Sequence, residues 1–205
     1  MKKIINPILI DLPMPITTPH LILRPPQIGD GSAVNEAVSE SFNELYQFMP
    51  WAQHKPSIEE TEIFIRQAVA NWILKKNEDP YLPLFIFDKN TYQFIGATGY
   101  HNYDWEIPMI ETGYWIRSSC AKQGLMTEAV NAITQYAFKQ LGIKRISITC
   151  DVNNIRSKLI PERLNYTLES FVKSNRLNVN GEISDTLVYA KYDLFNLPEL
   201  SVSWD

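Results

Sequence analysis

The stretch Glu111-Thr-Gly-Tyr-Trp-Ile-Arg-Ser-Ser-Cys-Ala-Lys-Gln-Gly-Leu-Met-Thr-Glu-Ala129 changes its periodicity halfway along. An apolar, β-rich run from Met109 to Ile116 predicts a strand, and after a short polar turn the apolar residues recur at helical spacing from near Leu125. Strand, tight loop and helix in that order form an anion-binding layout. Gly124 lets backbone approach a ligand with no Cβ in the way, and the first N–H groups of the helix have no partners of their own. Those donors, with the positive end of the helix dipole, attract phosphate. One glycine ahead of a helix is also what an ordinary turn contains, so the loop alone leaves both readings open.

Outward from this stretch, alternating and helical segments follow one another along the chain. Thr18-Pro-His-Leu-Ile-Leu-Arg-Pro26 predicts a first strand, and Asp30 a cap for a helix to about Ser41. Phe42 to Pro56 is dense in aromatics and predicts a packed helix–turn corner. Ser57-Ile-Glu-Glu60 is a capping box, opening a helix to about Lys76 with Ile58, Ile63, Ala68, Trp72 and Leu74 as apolar surface. Leu82–Phe87 and Gln93–Tyr100 predict a hairpin turning at Asp88-Lys-Asn90, followed by a polar loop, His101 to Pro108. Leu125, Ala129, Ile133, Ala137 and Leu141 form a core stripe that Gly142 ends. A strand, Arg145 to Asp151, leads to a helix through Leu164 capped by Asn154 or Asn153, and Asn165 suits a left-handed turn. Thr167–Val179 and Ile183–Leu194 close the chain as a hairpin at Asn180-Gly181, with no usable periodicity in the tail from Asn196 to Asp205.

This order predicts an α/β (α+β) fold in one domain, residues 1–205, with a core over about 18–194 and a tail over 195–205. The 205 residues, 45% hydrophobic and 12% aromatic, are enough to bury a substantial core. With 19 basic and 23 acidic residues the formal charge is −4, which gives no overall field for nucleic acid. Cys120 and Cys150 make no CxxC pair, and His20, His54 and His101 are scattered, so neither a disulfide framework nor a metal site is expected. Two lysines before an apolar stretch at the N-terminus resemble a leader, but Pro7, Asp11 and Pro13 interrupt it and no run is long enough to span a bilayer. A cytoplasmic protein that contacts no membrane is the expectation.

The central stretch resembles the acetyl-CoA-binding motif of the GCN5-related N-acetyltransferases (GNAT), where Gln/Arg-x-x-Gly-x-Gly/Ala wraps the pyrophosphate. Glu-x-Gly-Tyr-Trp before the loop and Met-Thr-Glu-Ala after it resemble the RimJ/RimL group of ribosomal-protein N-acetyltransferases, as does the opening Thr18-Pro-His-Leu-Ile-Leu-Arg24. The sequence departs from the pattern at Ala121, where the family has Gln or Arg, at Lys122, where this group often has Gly, and at Met126, where the wider family has Gly or Ala. The likeness runs from about Thr18 to Leu194. It implies a mostly antiparallel, mixed sheet, flanked by helices and split where the pantetheine arm of acetyl-CoA bonds like an added strand. The implied partners are acetyl-CoA as co-substrate and an amine acceptor, for a monomer or homodimer without metal.

By the same resemblance, Trp115, Ile116, Arg117, Lys122, Gln123, Gly124, Leu125, Met126, Thr127, Asn154 and Ser157 contact the coenzyme. Phe48, Met49 and Trp51 lie beside the acceptor groove. Backbone N–H groups from Tyr114 to Ile116 stabilise the oxyanion. Glu111 reads as a general base of raised pKa or, equally, as a charge-paired carboxylate. Asn154 and Ser157 match an Asn-x-x-Ser pattern whose serine protonates the leaving sulfur; helix capping is the competing role. The tyrosine that many relatives use as acid is replaced by Pro161, which has no N–H for the Ser157 carbonyl and so predicts that carbonyl free and the helix bent. Arg176 stands near the place of a proposed RimL base glutamate. Three functions therefore compete: acetylation of a protein N-terminal amine, acetylation of a small amine such as a polyamine, amino sugar or antibiotic, and a non-catalytic acyl-CoA-binding module.

Overall fold

A computed structural model describes residues 6–75 and 81–205. The strands are β1 (Ile16–Thr17), β2 (Leu21–Arg24), β3 (Tyr81–Asp88), β4 (Phe94–Asp104), β5 (Met109–Thr112), β6 (Trp115–Ile116), β7 (Arg145–Asp151), β8 (Thr167–Leu177), β9 (Ile183–Lys191) and β10 (Ser203–Trp204). They form one sheet in the order β10-β1-β2-β3-β4-β5-β7-β9-β8, with β6 on β4. Every pairing is antiparallel except β5 with β7. The helices are α1 (Gly31–Glu40), α2 (Phe42–Tyr46), α3 (Ile58–Leu74), α4 (Leu125–Lys139) and α5 (Ile155–Arg163).

Strand β3 shows why the fold has three layers. Its run Tyr-Leu-Pro-Leu-Phe-Ile-Phe is apolar without a break because both faces are covered. Leu82, Leu84 and Ile86 enter a core shared with α4, α5 and the middle of the sheet. Phe85 and Phe87 point the other way into a second core with Val34, Ala37, Leu45 and Ile65 of α1, α2 and α3. The capping box forms as expected, Ser57 Oγ accepting from Glu60 N at 3.1 Å while Glu60 accepts from Ser57 N at 2.7 Å. The buried face of α3 is Thr61, Ile65, Ala68 and Trp72, whereas Ile58, Ile63 and Leu74 are exposed. The predicted end at Lys76 lies outside the described residues.

Several local expectations give way to tertiary contacts. Thr18 to His20 is a turn between β1 and β2, held by the Thr18 hydroxyl. Asp30 does not cap α1, because its carboxylate forms a two-point pair with Arg24 at 2.8 and 2.9 Å. The expected loop from His101 begins as strand: β4 continues through Asp104 because β5 pairs with it at Tyr100↔Thr112, His101↔Glu111 and Asp104↔Met109. At the C-terminus, Asn131 and Gln135 of α4 donate to the carbonyls of Pro198 and Leu200, and Trp204 packs edge-on against Tyr136. The tail thereby supplies β10, an edge strand on β1. Such contacts leave no periodic trace in ten residues.

On α4 the expected stripe is core: Ala129, Ile133 and Ala137 are fully buried, with Leu125 and Leu141 half-buried at its ends. Glu128 joins the opening segment at Thr18 and His20 to the first turn of α4. It accepts from Thr18 Oγ1 at 2.6 Å, His20 N at 3.0 Å and His20 Nδ1 at 2.8 Å, fixing β2 against the start of α4. Asn165 takes its left-handed turn at φ 55° after α5, and the closing hairpin turns over Asn178–Glu182, with Gly181 N donating to Asn178 O.

Candidate active site

The apolar run that reads as one strand is broken in two. β5 follows β7 in parallel only through Met109↔Arg145, Ile110↔Ile146 and Glu111↔Ser147. After Gly113 and Tyr114 the chain continues as β6, which pairs with β4 at Ala97↔Trp115 and Gly96↔Ile116, while β7 runs on with β9 to Asp151. The sheet therefore opens between β6 and the end of β7, and among the described residues β6 keeps one edge unpaired. Gly96 makes the β4–β6 contact possible, since a Cβ there would come within 2.3 Å of the Trp115 carbonyl oxygen. Thr98 Oγ1 donates to the Gly113 carbonyl at 2.9 Å and fixes the break.

A cavity of about 400 Å³ occupies this opening. Its walls include Gly113, Tyr114 and Trp115 on one side and Ile148 to Asp151, Asn154 and Ser157 on the other. Phe48, Met49 and Trp51 line it too, so the corner after α2 both packs, through Leu45 and Ala52, and reaches the site. Trp51 lies 6.1 Å from Trp115, ring centre to ring centre.

Tyr114 and Ser157 meet across the opening. The Tyr114 hydroxyl donates to the Ser157 carbonyl at 2.8 Å and accepts from Ser157 Oγ at 3.3 Å. The carbonyl that Pro161 leaves without a helical donor is expected from the sequence to be free; instead it is taken by a tyrosine from the facing strand. Burial pushes the Tyr114 phenol far above its ordinary range, only partly offset by the Ser157 contact, so it stays protonated. Asn154 caps α5, its side chain accepting from Ser157 N at 3.1 Å. The capping role is thus real, and it also fixes the backbone of Ser157. Cys150, beside them, is a free thiol whose pKa burial raises.

Glu111 corrects an expectation. Burial alone would raise its carboxyl, but hydrogen bonds from His101, Thr149 and Asn102 outweigh that and hold it at about 2. It sits 3.4 Å from His101 Nε2, 2.5 Å from Thr149 Oγ1 and 3.1 Å from Asn102 Nδ2, and it is His101, not Glu111, that lines the cavity. Of the two readings the sequence leaves open for Glu111, general base or charge-paired carboxylate, these three donors fit the second. His101 is its cross-strand partner, the ring fitting beside Gly113, where a Cβ would stand 3.3 Å from His101 Cε1. Sequence reading missed His101 and Tyr114 because the first is placed by strand register and the second by the break after Gly113.

The loop from Arg117 to Gly124 is tied to α1. The Arg117 guanidinium is clamped by Glu36 and Glu40, each at 2.5 Å, and its backbone N–H donates to Ile95 O. Ser118 N donates to Ser41 Oγ and Ser119 N to Glu40. Glu40, which burial alone would raise, is held below the usual carboxylate range by Ser119 and Arg117. Lys122 at φ 64° and Gly124 at φ 83° are both left-handed, a conformation that favours glycine. α4 starts at Leu125 with no side-chain cap on its first N–H groups. Met126 is buried, leaving only its backbone for a ligand, and Gln123 donates to Ser119 O. None of Lys122 to Thr127 lines the cavity between β6 and β7.

Comparison with known proteins agrees with this geometry. Residues 20–167 match the family model described as "Acetyltransferase (GNAT) domain". The Bacillus subtilis protein named "Putative ribosomal N-acetyltransferase YdaF" is 34% identical over 95 residues, 46% of this chain and only about half, 51%, of its own length. The ribosomal-protein-serine acetyltransferase of Escherichia coli is 25% identical over 147 residues, covering 72% of this chain and 78% of the relative. Among solved structures, RimL, a ribosomal L7/L12 α-N-protein acetyltransferase in complex with coenzyme A, shares the fold at TM-score 0.77 and 24% identity, covering 86% of this chain and 96% of that one. The self-immunity acetyltransferase MccE, in complex with acetyl-CoA and AMP, aligns at TM-score 0.75 and 24% identity, over 85% and 93%. With the family model spanning well over half of its length and the sheet opening where the coenzyme arm is expected, the chain belongs to the GNAT acetyltransferases, enzymes that use acetyl-CoA as co-substrate.

Proposed function

We propose that the protein moves the acetyl group of acetyl-CoA to the N-terminal α-amine of a protein, in the cytoplasm. The observation that carries this is the opening between β6 and β7, where the paired hydroxyls of Tyr114 and Ser157 face a cavity that Phe48, Met49 and Trp51 also line. An unpaired strand edge suits an extended arm bearing amide groups, and an aromatic wall suits a peptide end. The curated relatives named for ribosomal-protein acetylation support a protein acceptor over a small amine.

Roles follow from position. The N–H groups of Lys122 to Thr127, with Gly124 leaving room, hold the pyrophosphate, and the Lys122 ammonium adds charge there. The free edge of Trp115 and Ile116 holds the thioester arm and gives an N–H to the carbonyl oxygen as it becomes an oxyanion. His101, oriented by Glu111, takes a proton from the acceptor ammonium at Nδ1, directly or through a water. As the neutral nitrogen bonds the thioester carbon and the C–S bond breaks, Ser157, backed by Tyr114, gives its proton to the departing sulfur, and the second proton shed by nitrogen returns to Ser157 through water; Asn154 keeps its backbone in place.

Thiol release from acetyl-CoA across peptides with free α-amines, polyamines, amino sugars and amine antibiotics tests this. Release with peptides alone is expected. Release confined to a small amine, or coenzyme binding with no release, overturns it.

A further inference from the structure

Resting on that reading, we propose that Arg176 selects the acceptor: the protein N-terminus that enters this cavity has an acidic side chain next to its amine, and the Arg176 guanidinium holds that carboxylate. The local backbone is built to aim this residue. Pairing of β8 with β9 passes from Val172↔Thr186 directly to Arg176↔Ser184, so three residues of β8 face the single Asp185. Ser174 takes φ 52°, and its N–H donates to Asp185 Oδ1 at 2.8 Å. A bulge of this kind redirects the side chain that follows it. Here it brings Arg176 from an edge strand into the lining of the cavity.

The guanidinium that arrives there is under-used. Its nearest carboxylate is Asp151, with Oδ2 3.5 Å from Nε, and among the described residues Nε is buried with no hydrogen bond. Asp151 is itself 5% exposed and accepts from Asn153 N at 2.8 Å. Among the described residues the guanidinium has one ion-pair partner, at 3.5 Å, and its Nε makes no hydrogen bond, so the planar fork can take an incoming anion, which a carboxylate matches in two bonds. Asp151 and Arg176 carry the formal charges of the lining, beside the imidazole of His101. A carboxylate next to the terminal amine fits the charge of Arg176. A lysine in the second position meets a like charge.

The test compares peptides identical except for Asp, Asn or Lys at the second residue, with kcat/KM measured on the full chain, and acetyl-CoA affinity measured for each variant. The Asp peptide should exceed the Asn peptide roughly tenfold or more, as expected for a charge-assisted pair. Arg176→Gln should level the two without changing acetyl-CoA affinity. Arg176→Glu should invert the preference towards Lys, a gain that misfolding cannot produce. Equal use of Asp and Asn peptides by the parent overturns the role of Arg176 and leaves acetyl transfer standing. Weakened acetyl-CoA binding in Arg176→Gln also overturns it, by making Arg176 a coenzyme ligand. No transfer to any peptide overturns the protein-acceptor reading, and this proposal with it.

Discussion

Removing the Tyr114 hydroxyl tests the most unusual contact in the site. Tyr114→Phe keeps the ring and deletes the donor at 2.8 Å from the Ser157 carbonyl, together with the acceptor of the Ser157 hydroxyl at 3.3 Å. Within α5 the carbonyl of Ser157 would look to the N–H four residues on, where Pro161 has none. The variant therefore strands a part-buried carbonyl, at a cost of about 1–3 kcal/mol. In a chain of this size each 1 kcal/mol lowers Tm by about 2–4 °C. The decisive comparison repeats the change in a Pro161→Ala background, where the alanine supplies an N–H to the same oxygen. The Tyr114→Phe penalty should then shrink by about 0.5–1.5 kcal/mol, the net value of one hydrogen bond. Urea unfolding of the four proteins gives the coupling directly. A Tyr114→Phe penalty equal in both backgrounds, to within about 0.3–0.5 kcal/mol, would refute the claim that this hydroxyl replaces the missing helical donor.

Ser157→Ala should lower kcat by roughly 10²–10⁴-fold with acetyl-CoA affinity unchanged, if Ser157 is the acid; single-turnover rate and calorimetric affinity on one sample distinguish this from a purely structural loss. Gly124→Val should weaken acetyl-CoA binding sharply, since it places a branched side chain at φ 83° where the pyrophosphate approaches, and unchanged affinity removes the loop from the account. Lys122→Ala should weaken binding in a salt-dependent way, read by titrating at low and high ionic strength. Glu111→Gln tests the pH linkage. The folded carboxyl is held at about 2 against an ordinary 4.5, so ionised Glu111 contributes stability that is complete above 4.5 and lost as the pH falls towards 2. The stability gap between parent and Glu111→Gln should therefore narrow over that window in denaturant melts, and a constant gap contradicts it.

Much of the architecture was legible where local chemistry decides it. The capping box at Ser57, the core stripe of α4, the left-handed Asn165 and the Asn180-Gly181 turn are set by residues a few positions apart. What stayed hidden is set across the fold. Met109 to Ile116 has β-rich content from end to end, and its composition does not mark the loss of the β7 partner after Glu111 that opens the sheet while β4 stays the neighbour on the other side. Asp30 has the composition of a cap, yet Arg24 claims it. The Arg117 guanidinium is held by Glu36 and Glu40, more than seventy positions earlier in the sequence. At the site, the pattern Asn-x-x-Ser located Asn154 and Ser157. It could not place Tyr114 against Ser157, His101 against Glu111, or the bulge that turns Arg176 inward.

The central claim is transfer of acetyl to a protein's terminal amine in the β6–β7 opening. Mass spectrometry of a peptide carrying both a free α-amine and an internal lysine, incubated with the protein and acetyl-CoA, tests it most directly. The account predicts one acetyl group, on the N-terminal α-amine, and its loss in Ser157→Ala at unchanged coenzyme binding. An unmodified peptide in the presence of bound acetyl-CoA, or acetyl on the lysine alone, would contradict it.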